Sequence, residues 1–500
     1  MPFKMKIYKP FLLLLLLSSQ HATASLIIYP APQSSITGKS FQVKVRETGG
    51  SWQDVATYYA NVAQSVNAKL LQRKTSFGYF DCSGQVEVSI LPVNITIASV
   101  KIRPLAKEIT PTITGKEIRF FMKTKDMLSI EINGDIFGNL QLFANPLPTE
   151  NFKAGDKNVR YYGPGVHRIG TVPLPAGTTV YIAGGAIVQG AFAIKGVKQV
   201  RILGRGILTQ LAVESPESQQ QSIVQDKKPV NGRNDEVVIE SSSDVMIDGI
   251  TVLPHKYSIL MGQAKNVSIT NFKSFSSEGN ADGIDIFSST DIRIDHIFMR
   301  NSDDCIAIYG HRWNYYGNTN DITVSNAILW ADVAHPINIG THGNSDQPEV
   351  LENITFWKLT VLDQHENQID YQGCLAINAG DSNTIRTVTF DQVDIEDIRK
   401  GQLINFRVMY NKKYNTSAGA GISDILIRDL SYTGTRANLS VIMGYDEKRG
   451  IKNLKFENLR INGTFISDTM PGKPGFYKTT DMANILVAEH VENITFTRTK

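Results

Sequence analysis

Four side chains in the middle of the chain have the types and spacing that acid–base catalysis needs: Asp282, Asp303, Asp304 and His335. Asp282, Asp304 and His335 each stand two residues before a short strand of the form Ile-x-Ile. If those strands stack side by side, residues that are far apart in sequence form one column, with Asp303 beside it. The sequence therefore predicts a cluster of three carboxylates and one imidazole.

Clustered carboxylates raise one another's pKa, because like charges at short distance oppose ionisation. One carboxyl group can then keep its proton near neutral pH and act as a general acid, while a neighbour stays ionised and acts as a base. Hydrolysis of a glycosidic bond requires this pair of roles, since one group protonates the leaving oxygen and another activates water. A separation of about 6.5 to 9.5 Å between the carboxyl groups favours inversion, and about 5 Å favours retention.

The strands that position these residues belong to a repeat. A short apolar–polar–apolar strand returns at intervals of mostly about 20 to 40 residues, without helical periodicity. The repeated strands are 200–202, 245–247, 267–269, 292–294, 322–324, 354–356, 388–390, 425–427, 454–456 and 494–496. Repeats of this size indicate a parallel β-helix, whose coils stack about 4.8 Å apart. A β-propeller is the competing architecture, but it usually needs repeats of about 40 to 50 residues.

The first part of the chain has a different pattern. Between residues 25 and 157, short runs alternate apolar and polar residues, as in 41–46 and 85–90. Alternation with a period of two predicts antiparallel strands and favours a small sandwich. The sequence thus predicts an all-β protein in which an N-terminal β-sandwich-like domain, 25–157, precedes a parallel β-helix catalytic domain, 158–500.

Residues 1–24 have the pattern of a secretory signal peptide. Three lysines precede the apolar run 11–17, and a small-residue cleavage site follows at 22–24. The apolar run is too short to span a bilayer. We therefore expect a secreted or periplasmic protein that has no membrane association after cleavage.

Composition narrows the classes of partner. The formal net charge of the 500 residues is only +3, so no basic surface for nucleic acid is indicated. Three cysteines, Cys82, Cys305 and Cys374, are too few for a disulfide framework, and two of them fall in the repeated strands, where they fit core packing. The net charge argues neither for nor against an acidic polysaccharide. From the acid cluster we expect a polysaccharide or oligosaccharide substrate, and we expect a monomer without a cofactor or bound metal.

The run 281–310 resembles the polygalacturonase motifs of glycoside hydrolase family 28. In that family an N-T-D segment is followed by G-D-D and then by G-H-G. The corresponding residues here are Ala281-Asp282, Ser302-Asp303-Asp304 and Ala334-His335-Pro336. The chain is also similar to the dextranases and isopullulanases of family 49, which combine an N-terminal β-sandwich with a β-helix. The resemblance implies a right-handed parallel β-helix of the pectin-lyase type.

The resemblance also implies roles for the four residues. By position Asp304 corresponds to the general acid, with Asp303 as the alternative, and Asp282 with the other member of the pair would activate water. His335 would support the acid or contact the substrate. The resemblance implies cleavage of an α-glycosidic bond with inversion, in a polysaccharide or oligosaccharide of the pectin or dextran type.

Substrate recognition departs from the polygalacturonase pattern. Those enzymes carry an R-I-K segment on the coil after the histidine, whereas the corresponding coil here, 371–378, has neither Arg nor Lys. Either Arg407, one coil further along, and the Lys412 and Lys413 that follow it replace those cations, or the substrate carries no carboxylate. The loop 309–317 beside the acids offers rings that stack on sugars and groups that hydrogen-bond them. The predicted substrate-binding residues are His311, Arg312, Trp313, Tyr316, His342, Tyr371 and Arg407.

Two other functions remain open at this point. A Ca²⁺-dependent polysaccharide lyase of the same fold would use the aspartates as cation ligands. Against it, the acid column contains no Arg or Lys that could act as the base. A non-catalytic carbohydrate-binding β-helix would need only the aromatic loop.

Overall fold

The computed structural model describes residues 1, 25–67, 69–214 and 235–499. The predicted signal peptide lies outside the described residues except for Met1. Within the described ranges the chain is almost entirely β, and the only α-helix among them is a single turn, α1 (Thr479–Met482). The predicted all-β class is confirmed.

Two sheets form the N-terminal unit. Its strands are β1 (Leu26–Ile27), β2 (Phe41–Glu47), β3 (Gln53–Val55), β4 (Thr57–Val66), β5 (Lys69–Cys82), β6 (Gln85–Pro92), β7 (Val100–Arg103), β8 (Thr112–Thr114), β9 (Glu117–Lys123), β10 (Met127–Ile132) and β11 (Asp135–Asn145). One sheet has the order β1-β5-β11-β10-β7 with β4 beside β5, and the other has the order β3-β2-β6-β9-β8. Val88 and Phe120 of the second sheet share one hydrophobic cluster with Leu128 and Leu142 of the first. This is the predicted β-sandwich.

A parallel β-helix follows. Its first strands are β12 (Val159–Tyr162), β13 (Gly165–Pro173), β14 (Thr179–Ile182), β15 (Ala186–Lys195), β16 (Lys198–Gly204), β17 (Ile207–Thr209), β18 (Val237–Glu240), β19 (Ser243–Asp248), β20 (Thr251–Leu253), β21 (Ile259–Gly262), β22 (Lys265–Thr270), β23 (Lys273–Phe275), β24 (Ile284–Phe287), β25 (Thr290–Asn301) and β26 (Ile306–Tyr309). The remaining strands are β27 (Thr319–Ala331), β28 (Ile337–Ile339), β29 (Val350–Gln364), β30 (Leu375–Ala379), β31 (Thr384–Ile395), β32 (Ile404–Val408), β33 (Gly421–Tyr432), β34 (Ser440–Met443), β35 (Ile451–Glu457), β36 (Leu459–Ile461), β37 (Thr464–Ile466), β38 (Ile485–Val487) and β39 (Val491–Thr497).

One face of the β-helix, here called the cleft sheet, consists of β18, β21, β24, β26, β28, β30, β32, β34 and β38. Its strands are in register, so that Ile284 pairs with Ile306, and Ile306 pairs with Ile337. These isoleucines point into the core of the helix, together with Cys305 and Cys374. Alternation along each strand therefore turns the intervening residue outward, onto the surface of the cleft sheet.

The coils bend at residues with left-handed backbone, and many of these are asparagines. Asn266 and Asn353 have φ of +53° and +56°. Asparagine tolerates this conformation better than most residues because its short side chain hydrogen-bonds locally. The Asn266 amide, for example, donates to the carboxylate of Asp244 on the preceding coil at 2.6 Å. Such contacts fix the corners from which the strands of the next face begin.

The sandwich packs on the β-helix through a second apolar cluster. Phe77 of the sandwich stacks on Phe275 of the helix, with ring centroids 5.3 Å apart. The last sandwich strand ends at Asn145 and the first helix strand begins at Val159, and the domain boundary at residue 157 stays a prediction. Across the described ranges, no helix has the length and apolar character needed to cross a membrane.

Candidate functional site

A cavity of about 850 Å³ lies over the cleft sheet, and the three predicted aspartates line it. The strand register explains their proximity. Because β24, β26 and β28 are aligned at their first residues, Asp282, Asp304 and His335 occupy one column, two residues before each strand. His335 differs from the aspartates, since it is fully buried and does not line the cavity.

The backbone of Asp282 and Asp304 leaves the regular alternation of the strands. Both residues are in phase with core-facing isoleucines, yet both side chains reach the cavity. Gly283 allows the coils to approach closely here, because its N–H donates to the Asp304 carbonyl at 2.8 Å. A Cβ on Gly283 would lie 2.3 Å from the Cys305 carbonyl oxygen, so only glycine fits.

Asp304 is held by hydrogen bonds to both of its carboxylate oxygens. Oδ1 accepts from His335, at 2.6 Å from Nδ1 and 3.1 Å from the backbone nitrogen. Oδ2 accepts from Asn338 Nδ2 at 2.8 Å and from the Tyr309 hydroxyl at 3.3 Å. The other ring nitrogen of His335, Nε2, donates to the Tyr371 carbonyl oxygen. Both ring nitrogens thus face acceptors, which is the environment of an imidazolium.

This pairing gives His335 and Asp304 opposite charges. Burial alone would lower the pKa of His335, but the Asp304 carboxylate outweighs it and raises the pKa to about 9. Burial would likewise raise the pKa of Asp304, but the His335 charge and the hydrogen bonds from His335 and Asn338 hold it below its usual value. Asp304 is therefore a carboxylate near neutral pH.

Asp303 has the opposite tendency. Its Oδ1 accepts a hydrogen bond from the backbone nitrogen of Asp304 at 3.1 Å, and its side chain lines the cavity. Burial and then the negative charge of Asp304 raise the pKa of Asp303 to about 7. The two adjacent aspartates therefore form the protonated and ionised pair that a general acid and base require.

A fourth aspartate, Asp285, belongs to the same cluster and was missed by sequence reasoning. It is the outward residue of β24, is 1% exposed, and its Oδ1 has no hydrogen-bond partner among the described residues. Burial, followed by the charges of neighbouring aspartates, raises the pKa values of both Asp282 and Asp285 well above the usual range. Strand alternation was the available signal, since it places Asp285 opposite the core-facing Ile284.

Asn338 is a second residue that sequence reasoning missed. It occupies the outward position of β28, in register with Ala307 and, one coil earlier, Asp285. Besides Asp304, its amide contacts the hydroxyl of Tyr371 at 2.9 Å. Asn338 therefore connects the ionised aspartate to an aromatic residue of the cavity wall.

The structure divides the predicted substrate-binding residues into two groups. Four line the cavity: Arg312, Trp313, His342 and Tyr371. Three do not: His311, Tyr316 and Arg407. The Tyr316 side chain is exposed to solvent. The Arg407 guanidinium stays on the surface of β32, where its Nε donates to Asn405 at 2.8 Å.

Three cations line the cavity: Lys256, Arg312 and Lys413. In the described parts of the chain none of them forms an ion pair with a carboxylate. Lys413 donates to the Gln368 side chain at 2.9 Å, and Arg312 lies over the Trp313 ring at 4.8 Å. Lys413 comes from the loop beyond β32, so its nearness to the acids depends on the folding of that loop.

The acids also have the donor set of a hard-cation site. Asp282, Asp303 and Asp304 each offer one oxygen, and these oxygens lie within 4.8 Å of one another. Carboxylate oxygens are the ligands that Ca²⁺ and Mg²⁺ prefer. However, Asp304 already accepts four hydrogen bonds, so a cation would have to compete with the imidazolium of His335. The arrangement is better suited to proton transfer.

A parallel β-helix with clustered carboxyl groups in a cavity has the side chains that acid–base hydrolysis of a glycosidic bond needs. The profile of glycosyl hydrolases family 28 matches residues 185–473. Because that match covers more than half of the chain, the protein belongs to this family. The predicted glycoside hydrolase family is confirmed.

Curated proteins that match part of this chain at low sequence identity also have names of pectin-degrading hydrolases. The chain is 24% identical over 208 residues to the "Probable endo-xylogalacturonan hydrolase A" of Neosartorya fischeri, covering 39% of this chain and 48% of that protein. It is 23% identical over 216 residues to the "Exopolygalacturonase X" of Aspergillus niger, covering 40% and 42%. The matched region thus spans about half the length of these relatives or less.

The whole chain also resembles a solved structure. Dex49A from Penicillium minioluteum superposes with a TM-score of 0.64 at 14% identity, covering 94% of this chain and 96% of that one. Both the sandwich and the β-helix are included in the superposition. The fold is therefore the predicted right-handed parallel β-helix with a preceding β-sandwich.

Proposed function

We propose that the protein is a secreted hydrolase that cleaves α-glycosidic bonds of a polysaccharide or oligosaccharide with inversion. The observation that carries the proposal is the divergence of two adjacent aspartates in one cavity. Asp303 has a pKa of about 7, whereas Asp304 has a lowered pKa. Neighbouring carboxyls whose environments separate their pKa values are the pattern of an acid and a base.

Asp303 is the general acid of this mechanism, in preference to Asp304. Asp303 retains a proton near neutral pH and can pass it to the leaving glycosidic oxygen. Asp304 accepts four hydrogen bonds and has no proton to give. The family resemblance aligns Asp304 with the general acid and leaves Asp303 as the alternative. The hydrogen bonds around Asp304 support Asp303 as the acid.

Asp304 and Asp282 hold the attacking water. Their nearest oxygens lie within 4.8 Å, and one water that hydrogen-bonds to two oxygens places them about 4.5 Å apart. As the water attacks the anomeric carbon, Asp304 takes its proton at Oδ2, where the water replaces the longest hydrogen bond, that from the Tyr309 hydroxyl at 3.3 Å. His335 keeps Asp304 ionised and oriented, so it is a positioning residue.

The spacing of the carboxyl oxygens bears on whether the reaction inverts or retains the anomeric configuration. Acid and base oxygens within 4.8 Å are closer than the separation of about 6.5 to 9.5 Å usual in inverting enzymes. That usual separation refers to enzymes with two carboxyl groups. We propose inversion because here a third group, Asp282, shares the water with Asp304. Proton NMR of the first product tests it, since inversion of an α-bond releases the β-anomer and retention releases the α-anomer.

The proposed substrate is a pectin-type chain that carries uronate groups. The curated relatives named above are a xylogalacturonan hydrolase and an exopolygalacturonase. The cavity of this protein contains three cations without a carboxylate partner among the described residues, and uronates are anionic. The uronate carboxylate, which the R-I-K segment binds in polygalacturonases, would then be bound by Lys256, Arg312 and Lys413.

A glycan panel tests the function. The purified protein is incubated with homogalacturonan, xylogalacturonan, dextran and pullulan, with and without EDTA, and reducing ends are followed beside the absorbance of unsaturated uronates. We expect reducing ends from a galacturonan without unsaturation and without EDTA sensitivity. Cleavage of dextran alone would overturn the substrate class, and an EDTA-sensitive unsaturated product would show a lyase.

A variant pair tests the assignment of the acid. Asp303→Asn removes the transferable proton with little change in shape, and we expect kcat to fall roughly 100-fold or more. Asp295→Asn is the matched control, because this aspartate lies on the β-helix outside the cavity. Unchanged kcat in Asp303→Asn would remove that residue from the mechanism. The monomeric state and secretion stay predictions.

A further inference from the structure

A long hairpin of the sandwich reaches the β-helix beside the cavity. It consists of β4 and β5, which pair from Thr57 with Gly78 to Val66 with Lys69. The base of the hairpin is fixed by the stacked rings of Phe77 and Phe275. Its distal half extends beyond this cluster and lies over the turns that precede the strands of the cleft sheet.

Two hydrogen bonds attach the distal half to segments that line the cavity. Gln72 Nε2 donates to the hydroxyl of Ser277 at 2.9 Å, in the segment that leads to Asp282. Asn367 Nδ2 donates to the hydroxyl of Ser65 at 3.2 Å, and Asn367 itself lines the cavity. The hairpin thus bridges the segments that precede β24 and β30, and of its two contact residues on the β-helix Asn367 lines the cavity.

Strand alternation identifies which hairpin side chains lie on the face that contacts the β-helix. Leu70 pairs with Ser65 across the hairpin and lies two residues before Gln72. Leu70 is therefore on the same face as the two residues that contact the cavity segments. Leu71 lies on the opposite face. Both leucines are large exposed side chains, at 43% and 46% exposure.

We infer that the β4–β5 hairpin extends the substrate cleft beyond the cavity and that Leu70 packs on the apolar C–H face of a sugar unit distant from the cleaved bond. Leu70 stays 43% exposed on the hairpin face that is held at two segments flanking the cavity, where a chain longer than the cavity would pass. The occupant is the polysaccharide substrate, so the inference rests on the proposed function. It assigns part of substrate recognition to the N-terminal domain.

The two leucines supply a matched pair for the test. Leu70→Ser and Leu71→Ser remove the same side chain from the same exposed hairpin, on opposite faces. We expect Leu70→Ser to raise KM for a hexasaccharide roughly threefold to tenfold, from the loss of about 40 Å² of apolar contact, with kcat unchanged. KM for a disaccharide, which is too short to reach the hairpin, should stay the same. Leu70→Met should restore KM.

Each outcome decides the inference. Equal KM for the hexasaccharide in Leu70→Ser and the wild type, or equal increases in the two serine variants, would overturn it. Thermal unfolding of each variant checks that the fold is intact. If the wild type cleaves no glycan, the proposed function fails, and calorimetric binding of the hexasaccharides then tests the hairpin. Weaker binding by Leu70→Ser alone supports it, and equal or absent binding overturns it.

Discussion

Asp303 and Asp304 are neighbours in sequence and share a cavity, yet their proton affinities differ because only one of them touches a cation. His335 lies against the Asp304 carboxylate and stabilises its charge. Burial raises the pKa values of Asp303 and Asp282, and the charges of neighbouring aspartates, Asp304 among them, raise them further. The imidazolium thus keeps Asp304 ionised, while burial leaves the neighbouring carboxyl groups with a higher affinity for the proton.

The pH dependence of activity follows from this division. The general acid must be protonated, so kcat should fall as pH rises through about 7, the pKa of Asp303. The base must be ionised, and its lowered pKa keeps it so down to acidic pH. A pH–rate profile should therefore have its basic limb near 7, with the acids titrating as a coupled group. Full activity at pH 9 would contradict the assignment of Asp303.

Removal of the His335 imidazolium should shift the acidic limb of the pH–rate profile. In His335→Gln the Asp304 carboxylate loses its cation, so burial raises its pKa and the acidic limb of the pH–rate profile shifts to higher pH.

The wild type also gains stability from a His335 pKa raised from 6.5 to about 9. That contribution is complete below pH 6.5 and is lost as pH rises through 9. Chemical denaturation across this range should show the loss in the wild type and not in the variant.

At the scale of elements, the loop between β26 and β27 contributes one aromatic ring to the cavity and exposes another. Trp313 lines the cavity and lies under the Arg312 guanidinium, whereas Tyr316 is 57% exposed outside it. The same loop buries Tyr315, whose ring stacks on Phe287 of β24 at 6.2 Å. This buried ring anchors the loop to the cleft sheet.

The two outer rings of this loop should respond differently to truncation. Trp313→Ala removes a stacking surface for sugars, and we expect KM to rise about threefold to tenfold, the effect of losing one aromatic contact. Tyr316→Ala is the control in the same loop and should leave KM unchanged. Steady-state kinetics on one oligosaccharide would show the contrast. Equal KM values in both variants would remove Trp313 from the binding site.

At the scale of the whole molecule, buried ion pairs join the sandwich to the β-helix. Arg103 pairs with Glu131 of the sandwich at 3.0 Å and with Glu396 of the helix at 2.6 Å. All three side chains are almost completely buried. The relative position of the two units, and with it the position of the β4–β5 hairpin at the cavity, depends on this junction.

Breaking the junction should cost much more than breaking a surface pair. Arg103→Met leaves two buried carboxylates without their cation, and we expect a loss of about 3 to 5 kcal/mol in the free energy of unfolding. Arg386→Met breaks a pair with Glu352 on the solvent-exposed surface and should cost about 1 kcal/mol or less. Thermal and urea unfolding of both variants measure the difference. Similar losses would contradict the role of the junction.

The sequence alone determined the all-β class, the coil repeat and the column formed by Asp282, Asp304 and His335. These features follow from local patterns, because strand alternation and a recurring Ile-x-Ile unit define which positions stack. They place residues in a column but do not measure which partner each side chain meets. For that reason the order of the two adjacent acids stayed open.

Only the tertiary structure decided the charge of each acid and the composition of the cavity walls. Asp304 is ionised because His335, a coil away, donates to it, and Lys413 reaches the cavity through a loop much further along the chain. The hairpin that bears Leu70 comes from the other domain altogether. Such contacts depend on how separate elements pack, so no periodicity in the chain encodes them. Arg407, which the coil count had placed near the substrate, donates to Asn405 and does not line the cavity, so its part in substrate binding stays a prediction.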